Sequence, residues 1–513
     1  MKSMAKTVGS VMIIMIFSRL LAFFSNLIYV TNFGANTRMD IFTFSLNIPN
    51  IIFTSLGTAL TTIVIPIFAA HIANNNNEKA FYFADNVLSL SIVFTMALTI
   101  VGIILSPLII SLTRFKNEDY GFALMALCIM LPVMIFYALN YILQGILQSL
   151  GKFAMPAFVS VPSSIVVIFY VLVLGDVFGV TGLLIASFIG LSLQGLILVY
   201  PAYRAGYRYH VHFDYKNEDI KKALKLMPPV FIGTSAYQLN MLFNNIVASR
   251  FESANTIMTT IQNMVLYSAL AFIYSVTAVI YPRLTMLAAK DDMEEYKESL
   301  IKVLKTVIYF MIPAAAGFVS VSDQLVNFFM AWNKITPENV IFASRMMALY
   351  AASIIGLGIK EVVDRAFYSL KDTKMPAING VIIMVINIMV SIIMIQFIGP
   401  LGIPLAYSVS ALAGGIVLMY FMRKKIGPFG IGKFAVTALK SAIASGIMMA
   451  VVFAVNWCFS RMSFGSLFID RGIKLFIPAG IGVVIYFAAT YLLKVEEAVD
   501  ALKKVKGKLR IIN

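Results

Sequence analysis

Charge is scarce in this chain. Only 12% of its 513 residues are Asp, Glu, Lys or Arg, against roughly 25% in a soluble domain. So little polar surface cannot coat a water-soluble globule. Cysteine is nearly absent: Cys128 and Cys458 both fall inside apolar runs, which excludes a disulfide framework or thiol chemistry. Histidine is limited to His71, His210 and His212. The last two form an HxH with no Cys or further His to complete a metal set, so a solvated loop is expected there and no metal site. Long polar intervals are also missing. The longest, near 204–222 and 283–300, leave no room for a soluble catalytic or nucleotide-binding domain. A near-match to a phosphate-binding loop, GPFGIGKF at 427–434, places Phe434 where a Ser or Thr must hold magnesium, and no strand precedes it. No catalytic residue, resident metal or bound cofactor is expected, and the chain is not expected to be an enzyme. Energy must then come from the membrane potential, a cation gradient or the substrate.

What is abundant is apolar sequence: 60% of residues are hydrophobic and the mean hydropathy is +0.88. These residues come in runs of about 20, the length that spans a bilayer as helix. About fourteen spans are expected, near 9–33, 45–70, 85–112, 121–148, 156–176, 180–203, 223–249, 257–282, 301–322, 338–363, 376–398, 402–422, 434–458 and 470–493. Barrel strands, short and strictly alternating, are excluded. The first run carries Arg19 and no small-x-small cleavage site follows it, so it reads as a span and not a signal peptide.

The net charge of +16 would suit nucleic acid, but its location argues otherwise. With the N-terminus cytoplasmic, most Lys and Arg fall on cytoplasmic loops. Arg204, Arg208, Lys216, Lys221, Lys222 and Lys225 form one such group, and Arg423, Lys424, Lys425 and Lys433 another. The tail adds Lys503, Lys504, Lys506, Lys508 and Arg510. That is the positive-inside bias. It predicts both termini in the cytoplasm, anionic lipids as partners at the inner leaflet, and a basic tail lying on that surface.

An internal repeat organises the spans. SLGKFAMPA at 149–157 returns as SLKDTKMPA at 369–377, a shift of 220 residues. At the same shift Gly179 meets Gly399, Gly182 meets Gly402 and Ala186 meets Ala406. Earlier, at shifts of 216–218, Asn26 meets Asn244, Pro66 meets Pro282, and Val87-Leu88 meets Val303-Leu304. Each copy holds six spans. Six is even, so the copies insert in the same orientation, a layout of transporters built around a central cavity. The expected fold is all-α and integral to the membrane: an N-terminal lobe at 1–222, a C-terminal lobe at 223–432, and two appended helices with the basic tail at 433–513.

Several polar residues stand inside spans. Arg19 is mid-span, where a charge costs about 2.5–3.5 kcal/mol on insertion scales; it either attracts an anionic substrate group such as phosphate or pairs with Asp40. Asn26 lies on the same helix face. Thr54, Thr58, Thr61 and Thr62 line the second span beside Gly57. Gln238, Asn240, Asn244, Asn245 and Ser249 follow in the seventh, and Thr259, Gln262 and Asn263 in the eighth. Such groups are costly against lipid. They either line a polar cavity or join helices by hydrogen bonds. Lys360, Glu361, Asp364 and Arg365 make two i,i+4 pairs of opposite sign, either a static tie or an inner gate whose ion pairs break and re-form.

The stretch SRLLAFFSNLIYVTNFGANTRMDIFTFSLNIPN at 18–50, EVVDRAFYSLKDTKMPAINGVIIMVINIMV at 361–390, GPLGIPLA at 399–406 and RKKIG at 423–427 together resemble the lipid II flippase family, MurJ or MviN, of the superfamily of multidrug and polysaccharide exporters. The resemblance covers nearly the whole chain. It implies fourteen helices, two six-helix lobes, a cationic cavity for the pyrophosphate and sugar head of lipid II, and a groove for the polyprenyl tail on the last two helices. Arg19 and Asp40 match the family's arginine and acidic residue. Other charged positions of the pattern are Ser25, Asn26, Phe53, Asn244, Asn263 and Ser391 here, while Asn387 matches.

The expected function is therefore translocation of lipid II, a peptidoglycan precursor, from inner to outer leaflet of the bacterial cytoplasmic membrane by alternating access. Arg19, Asn26, Asp40, Thr58, Gln238, Asn244 and Asn263 are the candidate substrate-binding residues, and cell-wall synthesis machinery is an expected partner. The alternatives are a flippase for another lipid-linked polysaccharide, a cation-coupled drug antiporter, which would need a membrane-embedded carboxylate, and a non-transporting scaffold.

Overall fold

The computed structural model describes residues 2–499, with side chains placed except at 2–12, 62, 228–230, 232–234, 267 and 278–279. Among the described residues every regular element is a helix. The basic tail residues 503–510 and the side chain of Thr62 lie outside them.

The chain packs as two compact units, Met1–Ile257 with Asn333–Ile335, and Met258–Trp332 with Thr336–Asn513. The first holds α1 (Lys2–Phe33), α2 (Thr37–Ala73), α3 (Asn77–Ser111), α4 (Phe115–Glu118), α5 (Tyr120–Met130), α6 (Val133–Ser149), α7 (Ala154–Phe158), α8 (Ser160–Val173), α9 (Gly175–Leu196), α10 (Val199–Arg204) and α11 (Glu218–Ala248). Next comes α12 (Ala254–Ala289), whose first residues belong to the first unit and whose remainder opens the second. The second continues with α13 (Met293–Ser320), α14 (Ser322–Phe329), α15 (Pro337–Ala351), α16 (Ser353–Ser369), α17 (Lys374–Ile398), α18 (Gly402–Ile426), α19 (Ile431–Ser460) and α20 (Leu467–Leu492). Packing thus places α11 with α2 in the first unit, whereas the sequence period starts the second copy at that helix.

Twelve segments among the described residues are long and apolar enough to cross a membrane, fewer than the fourteen expected. The difference sits in two places. Segment Lys374–Ile426 contains both α17 and α18, which pack along each other across a short 3₁₀ turn. Helix α11 is not among the twelve; its first turns carry Glu218, Asp219, Lys221, Lys222 and Lys225, and its second half is rich in amides.

The repeat is visible in the backbone. Gly179 and Gly399, 220 residues apart, have nearly the same left-handed conformation, φ 57, ψ −146 and φ 58, ψ −140, which glycine adopts without a Cβ penalty. Gly151 (φ 73) and Lys371 (φ 59) also correspond. Around them the helix ends close alike: Lys152 N bonds Leu147 O at 2.8 Å and Gly151 N bonds Gln148 O at 3.0 Å, while Asp372 N bonds Phe367 O and Lys371 N bonds Tyr368 O, both at 3.0 Å. These are paired Schellman closures. At the shift of 216, Asn76 and Asp292 cap α3 and α13, accepting from Lys79 N at 3.2 Å and Glu295 N at 3.1 Å.

Small residues allow the closest helix contacts in the second unit. A Cβ on Gly356 of α16 would lie 2.3 Å from the Ala411 carbonyl of α18, the close backbone approach by which membrane helices pack. Helices α19 and α20 pack on each other and on α13. Tyr486 donates its hydroxyl to Tyr309 O at 2.5 Å, and Tyr309 meets the Thr490 hydroxyl at 3.2 Å.

Candidate functional site

Helix α1 is fastened on one side and open on the other. The Ser18 hydroxyl bonds Ala157 O at 3.0 Å and Ile14 O at 2.8 Å, and Ser18, Ser25 and Asn26 are buried. Arg19, one residue past Ser18 and about 100° further round the helix, is exposed. It makes no hydrogen bond or ion pair with the described residues. Its neighbours along the helix surface include the exposed Met15, Ile16 and Leu20. Asn26 is buried beside Tyr29, to whose hydroxyl its amide donates.

Arg19 does not pair with Asp40. The Asp40 carboxylate is fully buried, and Oδ1 accepts from the Thr256 amide at 3.0 Å and the Thr256 hydroxyl at 2.8 Å. Oδ2 lies 3.3 Å from Arg114 Nη2. Arg114 also holds Glu118 at 2.8 Å, Glu118 accepts from the Thr37 hydroxyl at 3.0 Å, and Arg38 reaches Asp119 at 3.3 Å. Ser253 donates to Ala35 O at 2.8 Å. Asp40 therefore caps the start of α12, neutralising its open amides and its positive dipole end, and in this arrangement has no surface to offer a substrate.

The threonines of α2 bond mainly to their own helix: Thr54 to Asn50 O at 2.7 Å, Thr58 to Thr54 O at 2.8 Å, Thr61 to Gly57 O at 3.0 Å. Thr58 is half-buried. Their donors are satisfied within the helix. Gly57 has a separate reason: a Cβ there would meet the Tyr141 ring at 2.9 Å. One amide pair does join helices, Asn47 Nδ2 to Asn245 Oδ1 at 3.0 Å, linking α2 and α11. Gln238 is half-buried and Asn240 buried, while Asn244 is fully buried with neither end of its amide bonded to a described group. A buried amide left so is costly.

In the second unit Asn263 is half-buried on α12, and Gln262 beside it donates to the Tyr350 hydroxyl at 2.8 Å. The α16 pairs form as the spacing requires. Lys360 Nζ lies 2.5 Å from Asp364 Oδ2, and Arg365 clasps Glu361 Oε1 through Nη2 at 2.7 Å and Nε at 3.0 Å. The Arg365 guanidinium also rests 5.8 Å from the Tyr281 ring centre.

One feature of the second unit has no polar signature in its motif. An apolar groove of about 360 Å³ opens between α13 and the appended helices, lined by Phe310, Pro313, Phe318, Met448, Val483 and Phe487 among others. At one end, Lys305 is paired with Glu496 and lies 3.2 Å from Glu497.

The architecture and sequence have known relatives. The chain is 23% identical over 494 residues to a probable lipid II flippase MurJ of Buchnera aphidicola subsp. Acyrthosiphon pisum, covering 94% of this chain and 96% of that one. It is 24% identical over 496 residues to the probable lipid II flippase MurJ of Vibrio cholerae, covering 93% and 94%. In fold it is similar to a solved lipid II flippase MurJ in an inward closed conformation, with TM-score 0.78, 21% identity and coverage of 94% and 98%. It is also similar to an inward-facing multidrug resistance MATE family transporter of the MOP superfamily, with TM-score 0.66, 16% identity and coverage of 80% and 94%. Residues 29–471 match the family model described as lipid II flippase MurJ, and the chain belongs to that family.

Proposed function

We propose that this chain carries lipid II from the inner to the outer leaflet of the bacterial cytoplasmic membrane by alternating access, supplying peptidoglycan synthesis. Family membership supports the substrate. The observation that carries the mechanism is Arg19: an exposed cation in a membrane-crossing helix, among apolar neighbours, with no carboxylate of the described chain on it. Facing lipid it would be strongly disfavoured; facing a pyrophosphate it makes charge-assisted, bidentate contacts. In the first unit the half-buried Thr58 and Gln238 supply neutral donors and acceptors suited to sugar hydroxyls and amides. The α13–α19–α20 groove, apolar and partly aromatic in its lining, suits the polyprenyl tail. The Lys360–Asp364 and Arg365–Glu361 pairs act as a gate that breaks and re-forms.

The pyrophosphate head is anionic. An inside-negative potential favours its outward movement by about 2.3 kcal/mol per charge per 100 mV, so the membrane potential, or a cation gradient, supplies the energy. The basic loops support cytoplasmic termini beside anionic lipids, with cell-wall synthesis machinery as the partner that consumes the product.

The test is complementation of a depletion strain. Arg19→Ala should abolish rescue at normal expression and membrane insertion. Arg19→Lys should restore little of it if bidentate phosphate contact is what matters. Full rescue by Arg19→Ala would contradict this role.

A further inference from the structure

The three histidines of the chain all face carboxylates around one short segment, residues 205–219, which joins α10 to α11. His71, near the end of α2, meets Asp219 Oδ2 through Nε2 at 2.8 Å. His210 and His212, in the extended stretch before α11, present Nδ1 to Asp85 Oδ2 at 3.7 and 3.5 Å. The Asp85 side chain is 4% exposed on α3, while those of His210 and His212 are 68% and 38% exposed. The same stretch is tied to α3 by bonds that involve no histidine side chain. Asp214 N donates to Asn86 Oδ1 at 2.6 Å, Tyr82 donates to Asp214 Oδ2 at 3.1 Å, and the Ser89 hydroxyl meets Tyr209 at 2.9 Å. The Tyr207 side chain is buried against Phe81, and the His212 ring lies 4.8 Å from that of Tyr82. Burial, then the Asp85 charge, push the Tyr207 hydroxyl above the usual phenol range, so it stays protonated.

The distances separate charge from hydrogen bonding. At 3.5–3.7 Å a neutral imidazole makes no hydrogen bond to Asp85, so attraction there requires the added proton. The two rings sit 6.3 Å apart and face the same carboxylate. Imidazole changes charge between about pH 5 and 8, and an imidazolium beside a carboxylate is a charge-assisted contact. The carboxylates facing the group are Asp85, Asp214 and Asp219; the cations of the segment itself are Arg208, over the Tyr203 ring, and Lys216.

We propose that residues 205–219 are a proton-sensing strap: protonation of His210 and His212 fastens this segment, and with it the start of α11, to α3, and loss of the protons loosens it, while the His71–Asp219 hydrogen bond holds with or without an added proton. Helix α11 carries the buried amides Asn240, Asn244 and Asn245, so the strap sets how readily that helix shifts. This does not depend on lipid II being the cargo.

The test is hydrogen–deuterium exchange of the full chain in nanodiscs, corrected for the intrinsic pH dependence of amide exchange. Peptides covering 205–217 should be protected about tenfold more at about pH 5.5 than at about pH 8.5. His210→Gln with His212→Gln changes one exposed and one half-buried side chain and should remove most of that difference, leaving the variant at low pH like the wild type at high pH. His71→Gln should leave the pH difference in place, since the 2.8 Å contact with Asp219 needs no added proton. Asp85→Asn should act like the double histidine variant; if it does not fold, the histidine variant decides. Protection that does not change with pH, that rises with pH, or that changes equally in the double variant would overturn the proposal.

Discussion

The Asp40 carboxylate holds the start of α12 through Thr256, accepting its amide at 3.0 Å and its hydroxyl at 2.8 Å from a fully buried position. Removing the carboxylate strips α12 of its cap and leaves the largely buried Arg114 with Glu118 as its one carboxylate, beside the Thr37 hydroxyl. Asp40→Ala should cost about 2–4 kcal/mol, read as a lower melting temperature of the detergent-solubilised chain. Asp40→Asn, which keeps an acceptor for Thr256, should cost less. Equal melting of both variants and the wild type would show that the cap carries no stability.

The paired turns at Gly151 and Lys371 make opposite predictions from one geometry. Lys371 sits at φ 59 and carries a Cβ; Lys371→Gly relieves that strain and should raise stability by about 0.5–1 kcal/mol. Gly151→Ala imposes the strain at φ 73 and should lower it by a similar amount. Thermal melting of the two variants in parallel checks the sign.

The Lys305–Glu496–Glu497 cluster predicts acid release of the segment after α20. Hydrogen bonding and attraction from Lys305 hold the Glu496 carboxyl below its ordinary range. A depressed folded pKa means the stabilisation is present above the unfolded value, near pH 4.3 for glutamate by rough reference, and is lost as pH falls through the lower folded value. Glu496 is largely exposed, so screening keeps its share small. Limited proteolysis after α20 should show protection at neutral pH and loss below about pH 4. Lys305→Met should expose the segment at all pH values, because the half-buried Glu497 then lacks its cation.

Filling the apolar groove tests its role separately from the head-group site. Ala479 lines it, and Ala479→Trp occupies space within it. Lipid II transfer in proteoliposomes should slow several-fold, since overpacking at a groove open to the surface costs at most about 1–3 kcal/mol of fold stability. Unchanged transfer with the groove filled would remove the tail from this surface.

The sequence carried some of this plainly and some not at all. The repeat was legible because left-handed turns and helix ends restrict residue choice: Gly179 and Gly399, and Pro156 and Pro376, recur for reasons of backbone geometry. The α16 ion pairs were legible because i,i+4 spacing alone brings Lys360 to Asp364. The partner of Asp40 was not, since it is a backbone amide 216 residues away, and no side chain announces an open helix end. The threonine stripe showed itself, but whether its hydroxyls bond across helices or back to their own carbonyls depends on rotamers that periodicity does not encode. Nor could a period say that α11 packs with α2, because packing partners are chosen by side-chain fit and the repeat records only descent. The histidine pair read as a solvated loop until the fold placed Asp85 beneath it.

The most direct test is a leaflet-resolved measurement of lipid II in a strain depleted of this chain and lacking any other flippase. Outer-leaflet lipid II should fall while inner-leaflet lipid II accumulates, and the wild-type chain, but not Arg19→Ala, should reverse both. Unchanged outer-leaflet lipid II on depletion would contradict the assignment.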